Sequence, residues 1–154
     1  MRILASCFWL VLAFSSTAAL IRAGNEYVTT VRSLQDSQWA ILQFDAPPDS
    51  AERTGLVLEI RNPSGLDLRL KELEVYLWRG DMTVGKTYGH VEPLLVPRGS
   101  VKRIPLVIEL NSEALRAAGV DAGGRRWRAA GSYKISTALT GSDFVYHLDL
   151  DVAP

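Results

Sequence analysis

From Gly55 to the end of the chain, apolar residues fall at every second position. Leu56, Leu58 and Ile60 alternate with Val57, Glu59 and Arg61; Leu66, Leu68 and Leu70 alternate with Asp67, Arg69 and Lys71. A period of two sends successive side chains to opposite faces of a strand. After Leu70 the apolar set resumes as Leu73, Val75 and Leu77, so its parity has switched. One extra residue near Lys71-Glu72, in a β-bulge or a break between strands, puts all six on one side. Ile104, Leu106, Ile108 and Leu110 repeat the alternation, as do Tyr133, Ile135, Thr137 and Leu139. In the last run Phe144, Tyr146, Leu148, Leu150 and Val152 oppose Val145, His147, Asp149 and Asp151. Trp39 to Phe44 reads as a further strand, and Asn62-Pro63-Ser64-Gly65 as a turn. Six or seven short alternating strands predict an all-β domain, an immunoglobulin-like antiparallel β-sandwich over residues 55–154.

Two segments depart from this period. Ser112 to Ala118 (SEALRAA) predicts a helix capped by Asn111 or Ser112 and ended at Gly119. Ile3 to Ile21 carries no charge and lies between Arg2 and Arg22; a run of roughly 20 apolar residues is the length a helix needs to cross a bilayer core. Residues 1–24 are therefore expected to form a transmembrane helix or a signal peptide cut after Ala18, and either places the rest outside the cytoplasm. The favoured expectation is one retained span, with the N-terminus cytoplasmic and the C-terminal domain extracytoplasmic, periplasmic or extracellular. Residues 25–54 then hold a juxtamembrane helix around Tyr27, Val28, Val31 and Leu34, the first strand, and a Pro/Gly loop from Ala46 to Gly55.

Composition removes several classes of function. At 154 residues the chain suits one domain, and 17 Lys+Arg against 17 Asp+Glu leaves no basic excess for nucleic acid. One Cys makes no internal disulfide, and with two His it makes no zinc module. No metal or cofactor is expected. Asp149 and Asp151, with Asp143 nearby, read as a solvated strand face rather than a calcium site.

Gly80 to Thr87 (GDMTVGKT) formally matches the phosphate-binding loop G-x-x-x-x-G-K-[ST]. That loop cradles phosphate with backbone N–H groups at the mouth of a helix. Here the following residues, Tyr88 to Pro97, hold a glycine and two prolines where the helix belongs. The prediction is a hairpin turn at Arg79-Gly80-Asp81 followed by a strand, and no nucleotide. His90 and His147 are the only general-base candidates in the sequence but lie in no recognisable nucleophile motif, so no catalytic residue is expected. The parity that buries Leu73, Val75 and Leu77 turns Tyr76 and Trp78 outward as an exposed aromatic pair, a common feature of interfaces. Arg125-Arg126-Trp127-Arg128 is the one dense cationic cluster, suited to lipid headgroups or an acidic partner.

The run from Leu56 to Asn62-Pro63, the strand from Leu68 to Leu77, Gly80 with Val84-Gly85, then Val96-Pro97 and Val101 to Leu110, resembles the type-2 late embryogenesis abundant family, the WHy domain. Gly131-Ser132-Tyr133 through Gly141 is similar to that family's closing hairpin. The resemblance implies a small β-sandwich, often behind a single membrane span, with no catalytic residues. It extends over roughly residues 55–152 and is carried mainly by Asn-Pro and alternation.

These readings combine into an expected function: a non-catalytic, membrane-anchored accessory subunit that binds protein partners in a larger membrane assembly, such as a respiratory or photosynthetic complex. The alternative is a stress-protective or lipid-binding module of the late embryogenesis abundant type.

Overall fold

A computed structural model describes residues 2–89, 93–120, 126–137, 139 and 142–152. Along the chain run α1 (Arg2–Gln35), β1 (Gln38–Phe44), β2 (Arg53–Arg61), β3 (Leu68–Arg79), β4 (Met82–Gly89), β5 (Leu94–Val96), β6 (Val101–Leu110), α2 (Ser112–Val120), β7 (Trp127–Thr137) and β8 (Asp143–Val152). All strand pairs are antiparallel, in the order β1-β2-β6-β4-β3-β7-β8, with β5 added to β3.

The protein is thus all-β, built on one curled sheet. Trp39 of β1 packs on Tyr133 of β7 at 4.9 Å between ring centroids, and Phe44 of β1 on Trp127 of β7 at 5.1 Å. Four strands separate β1 from β7 in the sheet order. Their contact means that the sheet folds back over its own apolar face. The expected immunoglobulin-like pair of separate sheets is not what the pairing shows: β4 and β6 join the two ends into one sheet, through Gly85↔Leu110 and Lys86↔Glu109. Gly85 makes that seam, because a Cβ there would stand 2.8 Å from the Glu109 carbonyl oxygen.

β3 is the central strand. One edge pairs with β5 through Leu68 to Leu70 and with β4 through Leu73 to Arg79; the other pairs with β7 along its length. The register with β7 shifts between Leu70 and Glu72. This is the bulge that the parity switch requires, and Leu68, Leu70, Leu73, Val75 and Leu77 are all buried. Opposite Val75, Gly131 lets β7 approach: a Cβ there would lie 1.9 Å from the Glu74 carbonyl oxygen.

Gly80 to Thr87 is a turn followed by strand β4, with Gly80 at a φ of 59° and its N–H donating to the Arg126 carbonyl. No helix follows, so the formal phosphate-loop match is a hairpin. Asn62, wholly buried, ties the β2–β3 turn to β5. Its Nδ2 donates to the carbonyls of Leu66 (2.8 Å) and Val96 (3.0 Å), and its Oδ1 accepts from the N–H and the hydroxyl of Ser64. Helix α2 is capped as its sequence predicts, Asn111 Oδ1 accepting from the N–H groups of Glu113 and Ala114, and it buries Leu115 and Ala118.

The N-terminal expectation is corrected. α1 is one helix of 34 residues that takes in both the N-terminal apolar run and the expected helix around Tyr27 to Leu34, and it carries Arg22, Asn25, Glu26 and Arg32. From Ser15 on, Ser15-Ser16-Thr17 and then Arg22, Asn25, Glu26 and Arg32 keep the described part of this helix from being continuously apolar. Among the described residues no helix is long and apolar enough to cross a membrane, which overturns the single-span placement with an extracytoplasmic domain. The C-terminal turns of α1 instead belong to the domain. Leu34, Thr30 and Ser33 are buried, the Thr30 and Thr137 hydroxyls share a hydrogen bond, and Tyr27 packs on Phe144.

Gly131→Ala is expected to cost several kcal/mol or to abolish folding, whereas Gly65→Ala, with open space around it, is near neutral. Asn62→Ala removes the side-chain donor to the Leu66 and Val96 carbonyls and the acceptor of Ser64, and is expected to lower unfolding free energy by roughly 2–4 kcal/mol in urea titrations. Equal stability of Gly131→Ala and Gly65→Ala contradicts the β3–β7 approach.

Candidate interaction surface

Three of the six aromatic and cationic residues singled out in the sequence, Tyr76, Trp78 and Arg128, come together on one face through the β3–β7 register. Trp78 stands opposite Arg128, and Arg79 opposite Trp127. Because strand side chains alternate, these two pairs occupy opposite faces. On the outer face the Arg128 guanidinium lies 5.1 Å from the Trp78 ring centroid, and Arg128 reaches Asp149 of β8 at 3.7 Å. On the inner side Arg79 lies 5.3 Å from the Trp127 ring. It also bonds Asp49 at 2.7 Å and the Leu115 carbonyl at 3.4 Å, clasping the β1–β2 loop and α2 to the end of the sheet.

The outer face is therefore a preordered strip of Tyr76, Trp78 and Arg128, with Asp149 and Asp151 beyond it on β8. Tyr76 and Trp78 point outward as expected but are half-buried rather than exposed, because the Tyr76 hydroxyl donates to Glu74 (2.6 Å) and Arg128 covers Trp78. Trp127 turns inward against Phe44 and does not join the strip. Arg126 is exposed at the start of β7. Arg125 and His90 lie outside the described residues.

Cross-strand pairing also assembles a row that the linear sequence hides. Glu74, Ser132 and His147 follow one another across β3, β7 and β8 on the outer face. The carboxylate flanks the serine rather than the histidine and accepts from the Tyr76 hydroxyl. The β8 acids face protein cations. Lys71 bonds Asp143 at 2.5 Å and Lys134 lies 3.8 Å from it. The Lys71 hydrogen bond, joined by the charges of Lys71 and Lys134, holds the Asp143 carboxyl below its ordinary value against a smaller opposing desolvation. Among the described residues no three His, Cys, Asp or Glu side chains converge as metal ligands.

Where α1 meets the sheet, Tyr27, Trp39, Tyr133, Phe144 and Tyr146 gather. Among the described residues the Trp39 indole N–H is the buried side-chain donor without an acceptor. Burial, then the neighbouring Tyr133 and Tyr27, pushes the Tyr146 phenol above its ordinary value of 10.0. Beside this cluster an open groove of about 470 Å³ runs between α1 and Leu139, lined by Ala18, Ile21, Arg22, Asn25, Glu26 and Thr29.

No family model matches the sequence, and no curated protein matches it. Solved structures share a likeness of fold. A protein from Archaeoglobus fulgidus aligns over 77% of this chain and 97% of its own, at 15% identity and a TM-score of 0.43. A FixG-related protein from Vibrio parahaemolyticus aligns over 75% and 94%, at 11% identity and a TM-score of 0.38. A putative late embryogenesis abundant protein aligns over 91% and 82%, at 8% identity and a TM-score of 0.43. The last is a weak, fold-level link to the family that the Asn62-Pro63 pattern resembles. Likenesses at these scores carry no function across.

The raised Tyr146 phenol has a signed consequence. Its stabilising contribution is complete below pH 10, where the unfolded phenol is still neutral, and is lost as pH rises through the higher folded value. Stability is expected to fall above pH 10, and Tyr146→Phe to flatten that fall in urea titrations run between pH 8 and 11. An identical alkaline slope in the variant contradicts the assignment.

Proposed function

We propose that this chain is a non-catalytic interaction module that acts as an accessory component of a larger protein assembly, docking through the outer face of β3 and β7. The carrying observation is the Trp78–Arg128 pair, supported by Tyr76 and fixed by cross-strand register. Trp, Tyr and Arg are the side chains that dominate binding energy at interfaces, and holding them in place before binding reduces the entropy lost on association. The Glu74, Asp149 and Asp151 carboxylates around them select a partner of mixed polarity over nucleic acid. In this reading the curled sheet works as an immunoglobulin-like sandwich, with β1-β2-β6 laid over β4-β3-β7-β8 and the β4–β6 seam as its corner.

The groove between α1 and Leu139 favours a second reading, an amphiphile-binding module of the late embryogenesis abundant kind. Ala18, Ile21 and Leu139 offer apolar surface beside Arg22 and Glu26, a lining that suits a molecule with an apolar body and a polar head.

Native size-fractionation of extracts from the source cells tests the first reading. The wild-type chain is expected to migrate in a complex, and Trp78→Ala or Arg128→Ala to weaken that association about 10-fold or more with little change in melting temperature. Migration of the wild type as a free chain, with lipid found by mass spectrometry, supports the second reading and contradicts the first.

A further inference from the structure

The end of the sheet where β2 stops and β6 starts is basic. Arg61, the last residue of β2, stands opposite Val101, the first of β6, and the Pro97–Ser100 turn is tied to this corner because the Ser100 carbonyl accepts from the Asn62 N–H. The corner therefore gathers Arg61, Arg98, Lys102 and Arg103, all of them exposed. Two carboxylates stand among them: Glu59 lies 4.0 Å from Arg103, and Asp67 accepts the Arg98 backbone N–H. The side chains of Arg61, Arg98 and Lys102 have no carboxylate partner among the described residues. Arg32 and Asp36, exposed at the close of α1, offset each other. Four cations against two acids leave a positive corner on a chain whose total charge is zero.

Uncovered aliphatic side chains leave the fold at this same end. α1 stops at Gln35, and β1 starts at Gln38 opposite Arg61. One turn earlier Thr30 meets Thr137, the last residue of β7; Thr137, Leu68 and Val96 share a row, and Val96 leads into the turn that carries Arg98. Traced back from there, α1 passes Tyr27 against Phe144 and then the Leu139 connection. At 1.5 Å per residue, Leu20 lies about 15 Å along the helix from Thr30. There Leu20 is 73% exposed and Ile21 61%, with Arg22 beside them. One end of the molecule thus presents cations and bare aliphatic side chains together.

We propose that this end docks peripherally on an anionic lipid surface, with Arg61, Arg98, Lys102 and Arg103 meeting headgroups while Leu20 and Ile21 enter the interface. The pairing of charge with apolar surface selects that occupant. An acidic protein or a nucleic acid matches the cations but leaves the aliphatic side chains in water, whereas an anionic bilayer offers negative headgroups with hydrocarbon just beneath them. The contact lies on the surface and requires no helix to cross it. It uses none of the Trp78–Arg128 strip, so it stands or falls apart from the assembly proposed above.

Flotation of the full chain with lipid vesicles reads the outcome. Binding is expected to phosphatidylcholine vesicles that contain phosphatidylserine, is expected to fall as salt rises, and is expected to be weak on phosphatidylcholine alone. Arg98→Glu with Lys102→Glu should weaken it at least about 10-fold. Leu20→Ser with Ile21→Ser should also weaken it, while leaving its salt dependence in place. All four positions are exposed, so the melting temperature should hold. Arg116→Glu on α2 and Trp78→Ala should leave binding unchanged. A wild-type chain that does not float with the charged vesicles overturns the proposal. So does equal binding to both vesicles that survives the Arg98 and Lys102 reversal. Complete release by inorganic phosphate at constant ionic strength overturns it too, because a small-anion site would then account for the cations.

Discussion

The structure depends on how β3 keeps one face apolar over 12 residues whose sequence changes parity midway. Leu68 and Leu70 belong to one phase, Leu73, Val75 and Leu77 to the other. An uninterrupted strand would send one of the two sets into water, and exposing a single large aliphatic side chain costs roughly 1.5–3 kcal/mol. The bulge between Leu70 and Glu72 absorbs the mismatch at the cost of one irregular ladder position. Because β3 pairs with β4, β5 and β7, its phase passes to every strand around it.

The same phase organises the candidate surface. Once Leu77 is inward, Trp78 is outward and meets Arg128, while Arg79 and Trp127 form the complementary pair on the inner side. One pair is presented to solvent; the other fastens the β1–β2 loop and α2 through Asp49 and the Leu115 carbonyl. Recognition and cohesion are thus assigned by adjacent residues of one ladder. The curl has a similar local origin, since Trp39 and Phe44 of β1 reach Tyr133 and Trp127 only when the sheet has folded over its core.

Much of this was legible from the chain. Alternation located the strands, the parity switch located the bulge, and the proline-rich sequel to Gly80–Thr87 exposed the hairpin behind a phosphate-loop spelling. Asn111 announced its cap. What failed did so for reasons of range. Strand order is not encoded in local period, so one curled sheet and two separate sheets read alike until the β4–β6 seam is seen. The exposure of Trp78 and the inward turn of Trp127 depend on a partner strand about 50 residues away in the chain. That the helix around Tyr27 to Leu34 ends with Leu34 in the core depends on the sheet it meets, which its own sequence does not display.

The register of β3 against β7, read from cross-strand NMR contacts between backbone protons in the full chain, tests the account at its foundation. The account predicts Leu70 opposite Ile135 and Leu73 opposite Tyr133, with the extra residue between them. An unshifted ladder with Leu73 opposite Ser132 contradicts it, because Leu73, Val75 and Leu77 would then leave the core and Trp78 would no longer stand beside Arg128.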